Sequence, residues 1–329
     1  MTKKQTIKDL GEFKSIEKIT RDFIYRPELV KVGIGDDGAV VHTRPEMDEI
    51  ISTDTMVEGV HFTHQTMSAF DVGFKLCASN VSDIAAMGGQ PTGLVVSVTV
   101  PSDLPAEWLE NCYEGIRAAC KYYRMNLLGG DMTGSPHGIV LTGTVIGEVP
   151  LNTAVTRRQA QVGDVVCVTG TVGDAGAGLE AIYRKWASLF PHIVQKHQRP
   201  LPSPNLAMKI RECGASSMND ISDGLSSELY EIAQASQVNM SIVGEQIPLS
   251  QETIKLSKKV GVSPIHYALV GGEDYELVFT IKEAKLSLLI QEPIHVIGRV
   301  ESAVEGVVSL TYQGEKKVLE AKGFCHFKS

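Results

Sequence analysis

The sequence predicts an α+β chain of two domains, and three observations carry that reading. At 329 residues it is longer than one ordinary domain and fits two of roughly 150 residues each. Both halves mix strand-like and helix-like stretches. Those stretches do not alternate as strict β-α-β units, so two α+β domains fit better than one doubly wound sheet. The boundary is expected near residue 150, giving segments 1–149 and 150–329.

Composition narrows the class. With 43% hydrophobic and 21% charged residues the chain can build a sizeable core. No apolar run approaches the ~18 residues needed to cross a bilayer, so no membrane partner is expected. The first ten residues, MTKKQTIKDL, lack the apolar stretch and cleavage site of a secretory signal, and a cytoplasmic location is the expectation. Six cysteines contain no CxxC pair and fall mostly in apolar segments, the pattern of buried reduced thiols. A formal charge of −8 argues against nucleic acid as a partner. It also opposes any anionic substrate unless divalent cations intervene.

Residues 12–24 carry Phe13, Ile16, Ile19 and Phe23 at helical spacing and predict an amphipathic packing helix. Short strands follow at 30–32, 39–41 and 50–57, with acidic turns between them or at their ends. Phe70, Phe74, Cys77, Val81 and Ile84 make one helical face, stopped by Gly88, Gly89 and Pro91. On that helix Lys75, Ser79 and Asp83 stand at i, i+4 and i+8 and share a polar face, either an exposed salt-bridge stripe or a functional one. Asp83 lies a turn from the helix C-terminus, where the dipole disfavours an anion unless a cation compensates. A strand at 94–100 and a helix from 109 to 123 come next. Leu127 and Leu128 then deliver Gly129, Gly130 and Asp131 at a strand end, and a strand at 139–149 closes the first half.

The second half opens on Arg157 and Arg158 and the strand 165–169. GTVGDAGAGL at 170–179 reads as a strand-to-helix turn. Pro200, Pro202 and Pro204 exclude a helix interior or central strand and mark a loop. Helices are expected at 205–213 and 225–236, and strands at 239–243, 275–281 and 294–300.

The chemistry-bearing stretch is 33–61, GIGDDGAVVHTRPEMDEIISTDTMVEGVH, which sets Asp36, Asp37 and Asp54 in glycine- and threonine-rich turns. Gly33, Gly35 and Gly38 permit the tight backbone that aims such acids inward. One GDDG alone is an ordinary solvated turn. Here the pattern recurs: Asp83 in NVSDIAAMGG, Asp131 in LLGGDMTG, Asp174 in GTVGDAGAG, Asp220 and Asp223 in NDISDG, and Glu273 and Asp274 in GGEDYE. Mg²⁺ takes oxygen ligands and only one or two carboxylates per ion, so several ions need several separate acids.

Other motifs fail on their context. GIGDDG satisfies G-x-G-x-x-G with Asp54 about twenty residues on, yet the following segment contains Pro45 and strand-like Val40 and Val41 rather than a helix start. Two Asp side chains would also face the phosphates, at about 4 kcal/mol per like-charge contact near 4 Å. No GxxxxGK[ST], HRD, DFG, GxSxG or HExxH is present. His61, near Asp54, reads equally as a ligand contact and as an ordinary histidine.

Taken together these segments resemble the thiamine-monophosphate kinase family, a branch of the superfamily of aminoimidazole ribonucleotide synthetase and selenophosphate synthetase. The likeness runs nearly end to end. It rests on GEF at 11–13, GIGDDGA at 33–39, ISTDTMVEGVHF at 51–62, NVSDIAAMGG at 80–89 and LLGGDMT at 127–133. It continues through TRRQAQVGDVVCVTGTVGDAGAGL at 156–179, DISDGL at 220–225, GGEDYEL at 271–277 and KGFCHF at 322–327.

The resemblance implies the two-domain aminoimidazole ribonucleotide synthetase-like fold. Segment 1–149 would be the ATP- and Mg²⁺-binding dimerisation domain, its sheet pairing with that of a second subunit into a barrel, and 150–329 an α+β domain completing the site. It implies a homodimer that transfers the γ-phosphate of ATP to thiamine monophosphate, giving thiamine diphosphate and ADP, the final step of thiamine diphosphate biosynthesis. Asp37, Ser52, Thr53, Asp54, Asp83, Asp131, Asp220 and Asp223 match Mg²⁺ ligands, and among them Asp37, Asp54, Asp83, Asp131 and Asp220 carry the catalytic assignment. Gly130, Asp131, Arg157 and Ser222 match nucleotide contacts, and His61, Glu273 and Phe324 match substrate contacts. Where the family has Tyr or Trp followed by Asp, this chain has Phe324 and Cys325, which keeps the ring and loses its polar handle.

That chemistry suits the residues. A phosphomonoester with a second pKa of about 6 is already mostly dianionic at neutral pH, so the acceptor needs no general base. The barrier left is the meeting of two anions, which several Mg²⁺ ions, a fixed cation such as Arg157 and in-line positioning would lower. Within the superfamily, selenide activation uses a Cys or selenocysteine in a glycine-rich N-terminal segment, and no cysteine precedes Cys77. A nucleotide- or thiamine-phosphate-binding sensor would not require so many carboxylates.

Overall fold

The structure, a computed structural model, describes residues 6–10, 12–20, 23–34, 39–302 and 306–320. It divides into two compact units, residues up to 84 with 90–152, and 85–89 with 153 onwards.

The first unit begins with α1 (Ile7–Leu10), α2 (Glu12–Ile19) and a small hairpin of β1 (Val30–Val32) and β2 (Val40–Val41). There follow β3 (Met47–Val57), α3 (Ala69–Ala86), β4 (Gln90–Pro101), α4 (Ala106–Tyr123), β5 (Asn126–Ser135) and β6 (Val140–Pro150). The expected helix over 12–24 ends at Ile19, and Phe23, beyond it, is buried. The four long strands form one sheet in the order β3-β6-β4-β5. Only β4 and β5 run parallel, and α4 supplies the crossover such a pair requires.

Strand alternation gives this sheet two unlike faces. Leu94, Val96 and Val98 of β4, with Leu141 and Val145 of β6, are almost wholly buried on one. α3 lies against that face so closely that a Cβ at Gly143 would sit 2.6 Å from Asn80 Nδ2, and one at Gly147 2.5 Å from Ile84 Cγ2. α3 and α4 also cross backbone to backbone: a Cβ at Gly115 would lie 2.0 Å from the Phe70 carbonyl oxygen. Between these helices burial raises the Cys77 thiol well above its ordinary pKa and pushes Cys112 up to about 12, so neither is a nucleophile.

Three sequence expectations change here. Lys75 and Ser79 are not on an exposed stripe; they are 1% and 5% exposed on the buried side of α3. Asp54 lies not in a turn but within β3, whose pairing with β6 runs without interruption from Met47 to Val57. Asp131 stands in the middle of β5 rather than at a strand end, because β4 offers a ladder partner for Gly129, Gly130 and Asp131 despite the glycines' weak strand preference.

The second unit contains β7 (Asp164–Thr169), α5 (Asp174–Tyr183), α6 (Pro191–Gln198), α7 (Pro204–Glu212), β8 (Ser217–Asp220), α8 (Leu225–Ser236) and β9 (Asn239–Val243). It ends with α9 (Gln251–Val260), α10 (Pro264–Val270), β10 (Leu277–Lys282), β11 (Ile294–Ser302), β12 (Val308–Tyr312) and β13 (Glu315–Val318). Seven strands form a mixed sheet in the order β13-β12-β9-β11-β7-β10-β8. Interior strand β7, DVVCVT, is buried at every residue, as expected of a strand covered on both faces. Val166 and Val168 join the core with α8, whereas Val165 and Cys167 join Leu206 and Ile210 of α7. A third cluster, Ala177, Ala181, Ile193, Val194 and Leu256, ties α5, α6 and α9 together.

Candidate active site

In the first unit the site is a ladder between one strand and one helix. Ser52 and Asp54 are two apart on β3 and so share a face, while Ser79 and Asp83 are four apart on α3 and share another. The Ser52 hydroxyl donates to Asp83 Oδ2 at 2.5 Å. The Ser79 hydroxyl donates to the Leu76 carbonyl at 3.1 Å and is close enough to Asp54 to favour its charged form. Burial raises the Asp54 pKa; the Ser79 hydroxyl and the nearby His61 oppose it. His61 Nδ1 accepts from the Val57 amide at 3.0 Å, which puts the neutral ring's proton on Nε2.

Register separates the other acid of this unit. Asp54 pairs with Gly143, Gly143 with Val96 and Val96 with Gly130, so those four share the helix-covered face. Thr55, Thr142, Ser97 and Asp131 follow one another on the opposite face by the same registers. Thr53 is on that face too, its hydroxyl donating to the Gly143 carbonyl at 2.8 Å and lying 3.1 Å from the Thr144 hydroxyl. Asp131 is exposed there on edge strand β5 and, within one copy, is not beside Asp54 and Asp83.

In the second unit the turn after β8 is held by a buried carboxylate. Glu228, 2% exposed on α8, accepts from the Asp223 amide at 3.0 Å, from the Ser222 hydroxyl at 3.5 Å and from Asn219 Nδ2 at 2.5 Å. Burial, with Asp220, Glu231 and Asp223 around it, raises the Glu228 pKa to about 8. Arg157 Nε donates to Asn219 Oδ1 at 3.0 Å, and its Nη2 lies 3.1 Å from Glu231. The Glu273 amide donates to the Ser222 carbonyl at 2.7 Å. Glu273 and Tyr275 both have positive φ, a strained arrangement in non-glycine residues that turns the GGEDYE segment sharply around Asp274.

Thus Arg157, Asp220, Ser222, Asp223 and Glu273 gather in one part of the second unit, and Ser52, Asp54, Asp83 and His61 in one part of the first. Asp37 and Phe324, with Asp36 and Cys325, lie outside the described residues. Two acids of the recurring pattern have internal duties instead. Asp174 is fully buried and accepts hydroxyls from Thr171, Ser250 and Thr253 at 2.6 Å each. Asp274 caps α5, accepting from the Gly173 and Ala175 amides at 2.5 and 2.9 Å. Asn219 and Glu228 are not singled out by the sequence, whereas Ser79 stands there with Asp83 on one polar helix face. Glu228 had a readable signal, an acid inside the apolar stripe of Leu225, Leu229 and Ile232.

The chain matches known proteins over almost its whole length. Residues 35–149 match the AIR synthase related protein N-terminal domain, and residues 161–310 the C-terminal domain of the same family. A thiamine-monophosphate kinase of Bacillus subtilis (strain 168) is 37% identical over 330 residues, covering 97% of this chain and 100% of that protein. The chain belongs to the thiamine-monophosphate kinase family. Its fold is accordingly the AIR synthase-like two-domain α+β fold. The crystal structure of thiamine-monophosphate kinase from Stenotrophomonas maltophilia K279a superposes with a TM-score of 0.82 at 29% identity, covering 92% of this chain and 96% of that one. AaThiL complexed with AMPPCP and TMP superposes at 0.78 with 33% identity, covering 98% and 99%. Among the described residues no group of three or more His, Cys, Asp or Glu could by itself hold a metal ion. No described helix is long and apolar enough to cross a membrane.

Proposed function

We propose that this chain is an ATP-dependent kinase that phosphorylates thiamine monophosphate to thiamine diphosphate and releases ADP. The end-to-end likeness to AaThiL complexed with AMPPCP and TMP carries the reading. The local chemistry agrees with it: the described candidates offer oxygen donors and a fixed cation, and the acceptor phosphate needs no base.

Ser52, Asp54 and Asp83 are an all-oxygen donor set on two rigid elements, which fits Mg²⁺ with its preference for few carboxylates and several waters. Thr53, Asp131, Asp220 and Asp223, with Asp37, are the further ligands we assign. When bound, the ions neutralise the phosphates and the charge developing on the transferring group. The residues of the chain then position. Arg157 and Ser222 take the nucleotide, with Gly130 and Asp131. His61, through its Nε2–H, Glu273 and Phe324 take thiamine monophosphate.

We also propose a homodimer. The open face of the first unit's sheet carries Ile51 at 66% and Val95 at 36% exposure, and its edge strands β3 and β5 lack outer partners among the described residues. A second copy closing the two sheets into a barrel would cover both, and would let Asp131 of one copy approach a site built on the other. The five described cysteines are free thiols, which suits a cytoplasmic enzyme.

The test is incubation with ATP, Mg²⁺ and thiamine monophosphate, followed by separation of the products. Stoichiometric thiamine diphosphate and ADP are expected. ADP without thiamine diphosphate, or neither product, would overturn the reading, and a molar mass of one chain in light scattering would overturn the dimer.

A further inference from the structure

We infer that Asn219 and Glu228 are positioning residues that set the nucleotide-binding fork of Arg157 and the Ser222 turn in one frame. The inference rests on the kinase reading above for what the fork binds. It does not depend on that reading for the frame itself.

Asn219 is 2% exposed at the third position of β8, and its side-chain amide has only one workable orientation. Its Oδ1 faces Arg157 Nε, a group that can only donate. Its Nδ2 donates to Glu228 Oε2 at 2.5 Å and Glu231 Oε2 at 3.0 Å. The amide therefore converts a donor on one side into acceptors on the other, which neither a carboxylate nor an apolar side chain could do. Turning it over would set donor against donor at Arg157 Nε and acceptor against acceptor at Glu231.

The guanidinium is planar and its five N–H groups are rigidly forked. Asn219 engages Nε, and Glu231 engages Nη2 at 3.1 Å. These two contacts fix the plane of a side chain that is otherwise 53% exposed and leave the Nη1 end to receive an anion. A free arginine would have to lose that rotamer freedom when its ligand arrives; this one has already lost it. Meanwhile the other oxygen of Glu228 accepts from the Asp223 amide and the Ser222 hydroxyl. One carboxylate thus ties Arg157, through Asn219, to the turn that carries Ser222, so the two contacts assigned to the nucleotide are held at a fixed separation.

The experiment is calorimetric binding of Mg²⁺·ATP to the full chain, with steady-state kinetics alongside. Asn219→Leu keeps the branched shape and removes all three bonds. Nucleotide affinity is expected to fall about tenfold and KM for ATP to rise by the same factor, with KM for thiamine monophosphate unchanged. In an Arg157→Ala background the same substitution should change affinity by less than about twofold, because its effect passes through Arg157. Should Asn219→Leu not fold, Glu231→Gln, which weakens the ion pair to Arg157 Nη2 at a partly exposed position, takes its place with the same expected split. Unchanged affinity, equal rises in both KM values, or a tenfold loss that persists without Arg157 would each overturn the inference. If the wild-type chain binds Mg²⁺·ATP but makes no thiamine diphosphate, and Asn219→Leu still loses affinity through Arg157, the kinase reading fails and the positioning role stands.

Discussion

Replacing Asp274 by Asn should abolish the pH dependence of one part of the second unit's stability. Asp274 is 5% exposed, and burial, despite the two amides it accepts from, pushes its pKa from the ordinary 3.8 to about 8; Asp174 and Glu276 add to the rise. Because the folded value lies above the unfolded one, the native state holds a proton that the unfolded chain releases between those pH values. This stabilisation is complete below pH 3.8 and is lost as pH rises through 8. At ~1.4 kcal/mol per pH unit, the wild-type chain should lose on the order of 4 kcal/mol from this group between pH 5 and pH 8. Asparagine does not titrate, and it surrenders one of two accepted hydrogen bonds, at a cost of about 1 kcal/mol. Since wild type has already lost about 1.6 kcal/mol of this stabilisation by pH 5, the variant should match wild type within about 1 kcal/mol at pH 5 and be about 4 kcal/mol more stable near pH 8. Urea unfolding in a Trp108→Phe background reads this through Trp186, which packs beside α5 and α6 in the same unit. Stability curves for the two proteins that run parallel from pH 5 to pH 9 would refute the argument.

Asp54→Asn should lower phosphoryl transfer by roughly 10³-fold or more while leaving far-UV circular dichroism and the unfolding midpoint unchanged. Wild-type turnover would remove Asp54 from the metal set. Gly115→Ala should cost about 2 kcal/mol, and so about 5 °C in Tm, since its Cβ would fall 2.0 Å from the Phe70 carbonyl oxygen and 2.9 Å from the Phe74 amide, both backbone. A calorimetric Tm at the wild-type value would show that α3 and α4 do not cross so closely. Glu148→Gln should destabilise by about 2 kcal/mol, less in high salt, because Glu148 is the shared partner of Arg26 and Arg44 and their like charges would then face each other. A salt-independent loss in denaturant titration would point to packing instead.

Much of the secondary structure is legible because period and punctuation agree. The face Phe70, Phe74, Cys77, Val81, Ile84 became α3, and the stretch 225–236 became α8 with those ends. α6, α9, α10, β12 and β13 were not read. α9 is mostly polar, with Thr253, Leu256 and Ser257 buried, and β13 is exposed at every residue, so neither shows strong periodicity. The site was legible as a set of acids in glycine-rich motifs and not as an arrangement. Asp54, Asp83, Asp174 and Asp274 look alike in sequence. In the fold, Asp83 takes the Ser52 hydroxyl across the gap between β3 and α3 and Asp54 lies half-buried beside Ser52 on β3, while Asp174 and Asp274 are consumed by hydroxyls and amides at the start of α5.

By itself the amino-acid sequence determined the class of chain, the family and the pool of oxygen donors and cations from which an active site could be drawn. Those properties reside in residue type, local spacing and motif order. Only the tertiary structure decided which donors share a face, that Lys75 is buried, that Asp131 lies across the sheet from Asp54, and that Asn219 and Glu228 hold Arg157 in place. Such facts depend on strand register and helix rotation, where a step of one residue reverses a side chain's direction, and that step is set by long-range packing rather than by neighbours in the chain.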